Sequence, residues 1–181
     1  MVTNPDGIAQ GAEISQPRNS VFSIGSNLGD RLEYLNSAVR ALRATAGLQL
    51  TGVSSVYATE PVGVLAQPDF LNVVVAAEST LPAMAMLQRA LAIEDACSRV
   101  RTVRWGPRTV DVDLIAVGEC QQDTPELSLP HPRAHERAFV LVPWLELQPD
   151  AVLVGRGPVA DLVAGLDTTG VRRCDEERVD W

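Results

Sequence analysis

The run from Phe70 to Glu78 is the strongest structural signal in the sequence, because it is dense in valine and predicts a β-strand. Three more strands are predicted, at Val21–Ile24, Leu48–Ala58 and Thr109–Val117. Helical patterns separate the first strand from the second and the third from the fourth. The order strand, helix, strand, strand, helix, strand predicts an α+β fold with a ferredoxin-like core. We therefore expect a single domain in which helices cover an antiparallel sheet.

The helices are predicted where apolar residues recur every three or four positions. The first such pattern consists of Leu32, Leu35, Val39 and Leu42. Gly47 ends it, and Pro82 suits the first turn of a second helix with Thr80 as a candidate cap. Further helical stretches are predicted at about Ala134–Leu145 and, in a short form, Val159–Leu166.

Length and composition indicate an ordinary globular protein. The chain has 181 residues, of which 46% are hydrophobic and 21% charged. We interpret residues 1–19 as a flexible N-terminal extension, 20–166 as the domain and 167–181 as a weakly structured C-terminal tail. No apolar run is long enough for a membrane helix and no secretory signal is visible, so we expect a cytoplasmic protein without a membrane partner.

Cysteine usage agrees with a reducing compartment. Cys97, Cys120 and Cys174 are odd in number and far apart, and no two of them form a C-x-x-C pair. This spacing disfavours both a disulfide framework and a structural zinc site.

The basic residues exclude several mechanisms, because all 15 of them are arginine and the chain has no lysine. A Walker-type P-loop, a protein-kinase site and Schiff-base chemistry each require a lysine. The net charge of −8 also makes a general nucleic-acid binder improbable. An ATP-using enzyme with this composition would have to bind phosphate through arginine.

Two carboxylates stand one strand repeat apart at Asp111 and Asp113. Side chains alternate along a strand, so both carboxylates point to one face while Val112 and Leu114 point to the other. Such a pair can bind hard divalent cations through oxygen. A strand with one solvated face is the commoner explanation of an isolated D-x-D pattern. The flanking residues must therefore decide between this explanation and a metal site.

The residues before this strand are strongly basic. Residues 99–108 contain four arginines and no acid: Arg99, Arg101, Arg104 and Arg108. Arginine binds phosphate oxygens in a forked geometry, and a metal held by neighbouring carboxylates neutralises the same phosphates. A basic loop bent by Gly106 and Pro107 before two aspartates therefore predicts a metal–polyphosphate site, although a solvated loop remains the alternative for the arginines alone.

A polar side chain interrupts the apolar Phe70–Glu78 strand at Asn72. Its amide requires hydrogen-bond partners inside a sheet. A flat heterocycle rich in donors and acceptors, stacked on Phe70 and on Trp105, would provide them. The alternative is an amide that bonds the backbone of the neighbouring loop.

The segment around His131 and His135 is a weaker signal. Pro132 breaks the helical register between the two histidines, and no third nitrogen or sulfur ligand is evident, so a zinc site is disfavoured. Contact of His131 or Arg137 with phosphate fits the arginine-rich loop better. The turn from Ser26 to Asp30 lacks the G-x-G-x-x-G pattern and is better explained as a helix cap than as a dinucleotide site.

Five blocks of sequence, in this order, resemble the 6-hydroxymethyl-7,8-dihydropterin pyrophosphokinase family between about residues 20 and 150. The blocks are SIGSNLGDR (23–31), SSVYATEP (54–61), QPDFLN (67–72), RWGPRTVDVD (104–113) and LPHP (129–132). The RWGPR-x-x-D-x-D block is close to diagnostic, and the set of five is very specific.

The resemblance implies transfer of pyrophosphate from ATP to the 6-hydroxymethyl group of 6-hydroxymethyl-7,8-dihydropterin, releasing AMP, as a step of folate biosynthesis. The chain would then be an ATP-dependent diphosphokinase, expected to be a monomer with ATP and the pterin as its small-molecule partners. The implied metal site holds two Mg²⁺ at Asp111 and Asp113. The implied catalytic residues are these two aspartates with Arg99 and Arg108.

The resemblance also assigns the binding residues. The implied ATP-binding set is Glu94, Arg99, Arg101, Arg108, Ser128, His131 and Arg137. The implied pterin-binding set is Gly25, Thr59, Val62, Phe70, Asn72, Trp105 and Phe139. Phe70 and Phe139 would stack on the two faces of the pterin, and Trp105 would lie on the same closing loop as Arg99 and Arg108.

Two alternatives stay open at this point. Another D-x-D metal-dependent nucleotide transferase would use the same carboxylates, but it usually needs a Rossmann-like half and a longer chain. A ferredoxin-like RNA-binding module would need a basic sheet face with exposed aromatics, whereas this chain is acidic and 4% aromatic.

Overall fold

The computed structural model describes residues 16–60, 68–97 and 109–181. Its α-helices are α1 (Arg31–Arg43), α2 (Ala83–Ala96), α3 (Ala138–Leu147) and α4 (Val159–Ala164). Its strands are β1 (Arg18–Ser26), β2 (Leu48–Val53), β3 (Val56–Thr59), β4 (Phe70–Ser79), β5 (Asp111–Val117), β6 (Gln122–Asp123), β7 (Ser128–Leu129), β8 (Val152–Leu153), β9 (Gly157–Pro158) and β10 (Val171–Cys174).

The main sheet is antiparallel throughout and has the order β10–β3–β4–β1–β5, with β2 also paired to β4. Helix α1 connects β1 to β2, which lies beyond β4 in the sheet, and α2 connects β4 to β5, which lies beyond β1. This is the split βαβ arrangement. The predicted α+β fold with a ferredoxin-like core is therefore confirmed. The valine-rich strand β4 lies inside the sheet and is buried on both faces, which explains its nearly continuous apolar sequence.

Two hydrophobic layers cover the sheet. On one face, α1 and α2 pack on side chains such as Phe22, Ile24 and Val75. On the other face, α3 and α4 pack on Val21 and Val74. Alternate residues of β1 and β4 thus enter opposite layers, as the two-residue period of a strand requires.

The predicted strand Leu48–Ala58 is interrupted in the structure. Strands β2 and β3 both pair with β4, but the register shifts between Leu50 and Gly52 and again at the β2–β3 junction. At that junction, the Ser54 hydroxyl accepts a hydrogen bond from the Val74 amide at 2.9 Å. A side chain thus replaces one backbone partner, and the continuous strand becomes two shorter ones.

Helix starts are only partly as predicted. Asp30 caps α1 by accepting a hydrogen bond from the Glu33 amide at 3.1 Å, as the turn before it indicated. Helix α2 begins directly after Pro82 without a side-chain cap, so the assignment of Thr80 as its cap is wrong.

The predicted helix Ala134–Leu145 is two elements rather than one. A 3₁₀ turn spans Ala134–Glu136, and α3 begins only at Ala138. Arg137 between them is extended, with φ −109° and ψ 96°. This break turns Arg137 away from the helical path and toward the sheet, where it contacts Asp113.

The chain termini differ from the sequence expectation. Arg18 and Asn19 of the predicted extension form the start of β1, and residues 1–15 lie outside the described residues. The segment after residue 166, expected to be weakly structured, contains β10, whose Val171 pairs with Thr59. A four-residue strand with two arginines has little local strand signal, so its partner across the sheet decides its conformation.

Glu146 joins α3 to β3. Its carboxylate accepts hydrogen bonds from the Ser55 amide and hydroxyl and from the Tyr57 hydroxyl at 2.9 Å. Burial and the neighbouring carboxylate raise the pKa of Tyr57 to about 12. The phenol therefore stays protonated and continues to donate this bond at any physiological pH.

Within the described ranges, none of the helices is both long and apolar enough to cross a bilayer. The longest of them, α2, has only 14 residues.

Candidate active site

One face of the sheet is apolar toward one end of its strands and polar toward the other end. Under α3 it is apolar, with Val21, Val74 and Ile115 buried. Farther along β1, β4 and β5, the two-residue period places small or polar residues on that face. These residues are Ser23, Gly25, Asn72, Asp111 and Asp113. The apolar part of this face lies under α3, whereas Asp113 of the polar part contacts Arg137 just before that helix.

Four residues on this face form one row across four strands. Gly25 pairs with Asp111 on one side and with Asn72 on the other, and Asn72 pairs with Tyr57. Asp111 and Asn72 are two strand spacings apart, or about 10 Å between backbones. Because Gly25 has no side chain, the Asn72 side-chain amide can lie over it. A ligand that lies against this row could contact both the amide and the carboxylate.

The side chain of Asn72 is fixed within this row. It is buried, and its Nδ2 donates a hydrogen bond to the Thr59 hydroxyl at 2.7 Å. Its partner is thus a side chain on β3, rather than the loop backbone considered as the alternative. A Cβ added to Gly25 would lie only 2.7 Å from the Asn72 Oδ1 and 3.8 Å from the Phe70 ring. Only glycine at position 25 allows the Asn72 side-chain amide to occupy this place.

Arg137 connects the carboxylates to an aromatic ring. Its Nη1 donates a hydrogen bond to Asp113 Oδ2 at 2.8 Å, and only 18% of the arginine and 31% of the aspartate side chain are exposed. The guanidinium carbon of Arg137 lies 5.7 Å from the centre of the Phe139 ring. An ion pair this shielded from water is stronger than an exposed one. The two residues predicted to serve phosphate and metal therefore contact each other directly.

The carboxylate pair supplies only part of a metal site. No cluster of three or more His, Cys, Asp or Glu side chains exists among the residues that the structure describes. Asp111 and Asp113 point to the same face, about 7 Å apart along the strand, and offer the hard oxygen atoms that Mg²⁺ prefers. They fit Mg²⁺ when other oxygen ligands, such as phosphates or water, complete its coordination.

His131 lies beside this pair. Its backbone amide donates to the Ile115 carbonyl at 2.8 Å, which ties the turn around it to β5. Burial lowers the pKa of His131, and Arg137 acts in the same direction, whereas Asp113 and Asp111 oppose the shift. The Arg133 amide donates to His131 Nδ1 at 3.2 Å, which leaves the proton of the neutral ring on Nε2. His131 is thus a neutral donor rather than a cation.

Glu94 has a contact that the sequence did not predict. It is 3% exposed, and its Oε1 accepts a hydrogen bond from the Val112 amide at 2.9 Å. Val112 stands between the two aspartates on β5, the edge strand of the sheet. The helix α2 carboxylate therefore holds the strand segment that carries the candidate metal ligands.

Ser128, a predicted site residue that the structure does describe, has its partner outside this group. Ser128 lies on the β6–β7 hairpin, where its hydroxyl donates to Asp123. Val62, Arg99, Arg101, Trp105 and Arg108 lie outside the described residues.

Sequence reasoning missed Ser23. It faces the same side as Gly25, is 5% exposed and pairs directly with Asp113. The signal was present, since Ser23 is a polar residue two positions from Gly25 in the apolar β1 run.

A groove of about 510 Å³ lies elsewhere, between α1 and α2, and is lined by side chains that include Tyr34, Arg89 and Cys97. It is on the opposite side of the sheet from Asp111 and Asn72. It contains no carboxylate pair and does not include any residue of the candidate site.

Comparison with protein families gives one clear match. The model for 7,8-dihydro-6-hydroxymethylpterin-pyrophosphokinase matches residues 21–149. This range contains every candidate site residue named above.

Curated relatives agree with this match. A 2-amino-4-hydroxy-6-hydroxymethyldihydropteridine pyrophosphokinase of Methylorubrum extorquens is 42% identical over 154 residues, which are 85% of this chain and 97% of the relative. The protein of the same name from Mycobacterium leprae is 48% identical over 169 residues, 84% of this chain and 86% of the relative.

Solved structures support the fold. A Plasmodium falciparum HPPK-DHPS triple mutant with STZ-DHP has a TM-score of 0.66 at 13% identity. The likeness covers 85% of this chain but only 44% of that chain. The wild-type P. falciparum protein with STZ-DHP has a TM-score of 0.67 at 12% identity, covering 92% of this chain and 47% of that one.

The close approach of Gly25 to Asn72 predicts the effect of Gly25→Ala. The new methyl group must displace the Asn72 amide from Thr59, so the free energy of unfolding should fall by about 1–3 kcal/mol. Urea denaturation measures this loss, and the Asn72 side-chain amide resonances should shift in an NMR spectrum. Gly165→Ala, where a Cβ meets only ordinary contacts, is the control. Equal stability of the two variants, with unmoved Asn72 resonances, would contradict the proposed close contact.

The environment of His131 predicts a low midpoint in its titration. A His135→Asn variant leaves His131 as the one imidazole, so NMR can follow it alone. Its pKa should lie below the ordinary value of 6.5, and Arg137→Ala should raise it because Arg137 lowers it now. Because the lowered pKa means that the unfolded chain binds this proton more readily than the folded one, the free energy of unfolding is highest above pH 6.5 and decreases as the pH falls. A midpoint at or above 6.5 would refute the buried neutral ring.

Proposed function

The chain belongs to the 7,8-dihydro-6-hydroxymethylpterin-pyrophosphokinase family, and we propose that it transfers pyrophosphate from ATP to 6-hydroxymethyl-7,8-dihydropterin. The hydroxymethyl oxygen of the pterin attacks the β-phosphorus of ATP, the bond from that phosphorus to the α-phosphate oxygen breaks, and AMP leaves. The hydroxyl proton is released. The product is the pterin diphosphate, an intermediate of folate biosynthesis, and ATP is the co-substrate.

The single observation that carries this function is the row Asp111–Gly25–Asn72. It provides carboxylates at one end and a fixed amide at the other, with no side chain on the strand residue between them. A pterin bound at the amide end would extend its hydroxymethyl group toward the carboxylates. The reaction joins a heterocycle to a polyphosphate, and this row offers adjacent positions for the two.

We propose the pterin contacts from this geometry together with the family resemblance. Gly25, Thr59, Asn72, Phe70 and Phe139 would bind the ring. Phe70 and Phe139 supply aromatic faces from β4 and from the first turn of α3. Val62 and Trp105 complete the proposed set.

We propose that Asp111 and Asp113 bind two Mg²⁺ together with the ATP phosphates. Bound there, Mg²⁺ supplies positive charge that offsets the charge of the transferring group. The two aspartates alone provide few ligands, so binding of metal and nucleotide should be mutually dependent.

The proposed phosphate-binding side chains are Arg99, Arg101 and Arg108, with Arg137 from the start of α3. His131 would donate a neutral Nε2–H, and Ser128 and Glu94 complete the proposed ATP set. Arg99 and Arg108 are also proposed as catalytic residues, since forked guanidinium groups can stabilise charge on the transferred phosphates.

The described part of the site has an imidazole whose pKa is lowered by burial and two carboxylates assigned to metal. Catalysis by positioning and electrostatic stabilisation agrees with this set, because phosphoryl transfer demands little covalent chemistry from the protein. Another D-x-D metal-dependent nucleotide transferase is not favoured, since the sheet of the described residues is antiparallel and contains no Rossmann-like half.

We also propose a cytoplasmic monomer. The three cysteines are free thiols, as expected in a reducing compartment. Among the described residues, the large exposed apolar side chains are Leu91 on α2, Val152 on β8 and Trp181 after β10, which is a small number for an interface. We propose that the catalytic domain, expected at residues 20–166, also includes the start of β1 at Arg18 and strand β10.

The direct test of the reaction is incubation with ATP, Mg²⁺ and the hydroxymethyl dihydropterin, followed by nucleotide analysis. We expect pterin-dependent AMP, and we expect Asp111→Ala and Asp113→Ala to reduce its rate by several orders of magnitude. Formation of ADP, or AMP formation that does not depend on the pterin, would disprove the function. Full activity of both aspartate variants would disprove the metal assignment.

The Arg137–Asp113 ion pair predicts that Arg137→Ala changes the affinity for metal and the affinity for nucleotide in opposite directions. Without ATP, removal of the competing cation should tighten Mn²⁺ binding several-fold, as measured by electron paramagnetic resonance. The same variant should bind ATP more weakly, because one phosphate ligand is lost. Arg40→Ala, which removes an exposed arginine of α1, controls for net charge. Weaker Mn²⁺ binding by the Arg137 variant than by the Arg40 variant would contradict the competition.

A further inference from the structure

Asp69 is held from two sides immediately before the strand that carries Phe70 and Asn72. The Arg31 Nη1, at the start of α1, donates a hydrogen bond to the Asp69 carbonyl oxygen at 2.7 Å. The Arg172 Nη2, on β10, donates to the Asp69 Oδ2 at 2.9 Å. One contact thus holds the backbone and the other holds the side chain.

Neighbouring contacts reinforce this arrangement. The side-chain amide of Asn27 donates a hydrogen bond from Nδ2 to the Pro68 carbonyl oxygen at 3.4 Å. The turn before α1 thus contacts the residue before Asp69 as well. On the other side, β10 pairs with β3 and places Val171 opposite Thr59, while Thr59 pairs with Phe70. The ends of β3 and β4 that form the proposed pterin pocket are therefore bounded by α1 on one side and by β10 on the other.

The C-terminal segment is also anchored beyond β10. The Asp180 amide donates to the Asn36 Oδ1 at 2.9 Å, and Val179 packs on the hydrophobic layer under α1. These contacts return the chain end to the same helix that provides Arg31. The family match ends at residue 149, so nothing in that match accounts for this segment.

We propose that Arg31 and Arg172 are positioning residues for the pterin pocket, and that they act through Asp69 to hold Phe70 against the substrate ring. The proposal rests on the proposed function, since it takes Phe70 as a pterin contact. Neither arginine touches the substrate. The turn before α1 thereby has a role that its sequence left open, and the C-terminal strand becomes part of the active-site framework.

Dissociation constants test the proposal. Variants Arg31→Ala and Arg172→Ala should weaken pterin binding, measured by fluorescence with a non-hydrolysable ATP analogue and Mg²⁺, by roughly threefold to tenfold. Affinity for the ATP analogue alone should be unchanged, because Asp111, Asp113 and Arg137 lie at the other end of the row. Arg173→Ala is the matched control, since it removes the adjacent arginine of β10, which pairs with Asp175 instead.

A double-mutant cycle identifies the route. If Arg172 acts through Asp69, then Arg172→Ala should have no further effect in an Asp69→Ala background. Additive effects would overturn the proposal, and so would equal weakening of pterin and ATP binding, which indicates general loss of structure. Unchanged pterin affinity in both arginine variants would overturn it and leave the proposed function intact. Absence of pterin binding by the unmodified protein would overturn both.

Discussion

The register of β1 between β4 and β5 is the constraint on which the rest of this molecule depends. Antiparallel pairing places Gly25 between Asp111 and Asn72, and a shift of β1 by one residue would replace Gly25 at this place with Ile24 or Ser26. The same register sends Phe22 and Ile24 into the layer under α1 and α2. Burial of these apolar side chains therefore stabilises the arrangement of the polar residues, and the fold and the site cannot be separated energetically.

Electrostatics explains how an acidic chain can keep a phosphate site. The net charge is −8, yet arginine is concentrated in residues 99–108 and again at Arg137. In the described site, the Arg137 guanidinium lies on Asp113 and offsets part of the repulsion between the two carboxylates. This pairing gives the folded protein a stable site before any ligand binds, but it also means that metal and nucleotide must replace an existing interaction.

Local patterns were sufficient for much of this structure. The alternation in Thr109–Val117 correctly put Asp111 and Asp113 on one face, and the turn before α1 correctly indicated a capped helix. The patterns failed where distant residues decide conformation. Strand β10 forms because Val171 meets Thr59, more than a hundred residues away, and Arg137 is extended because Asp113 lies beneath it. The neutral state of His131 also follows from burial, which a linear sequence does not encode.

We propose that metal–nucleotide and pterin occupy adjacent positions on one row of the sheet. Paramagnetic broadening by Mn²⁺, bound with a non-hydrolysable ATP analogue, tests it most directly in an amide NMR spectrum. Broadening should be strongest at Gly25 and at Asp111 to Asp113, and added pterin should then shift the Asn72 side-chain amide. Broadening centred on Arg89 and Ala92, in the groove between α1 and α2 across the sheet, would contradict it.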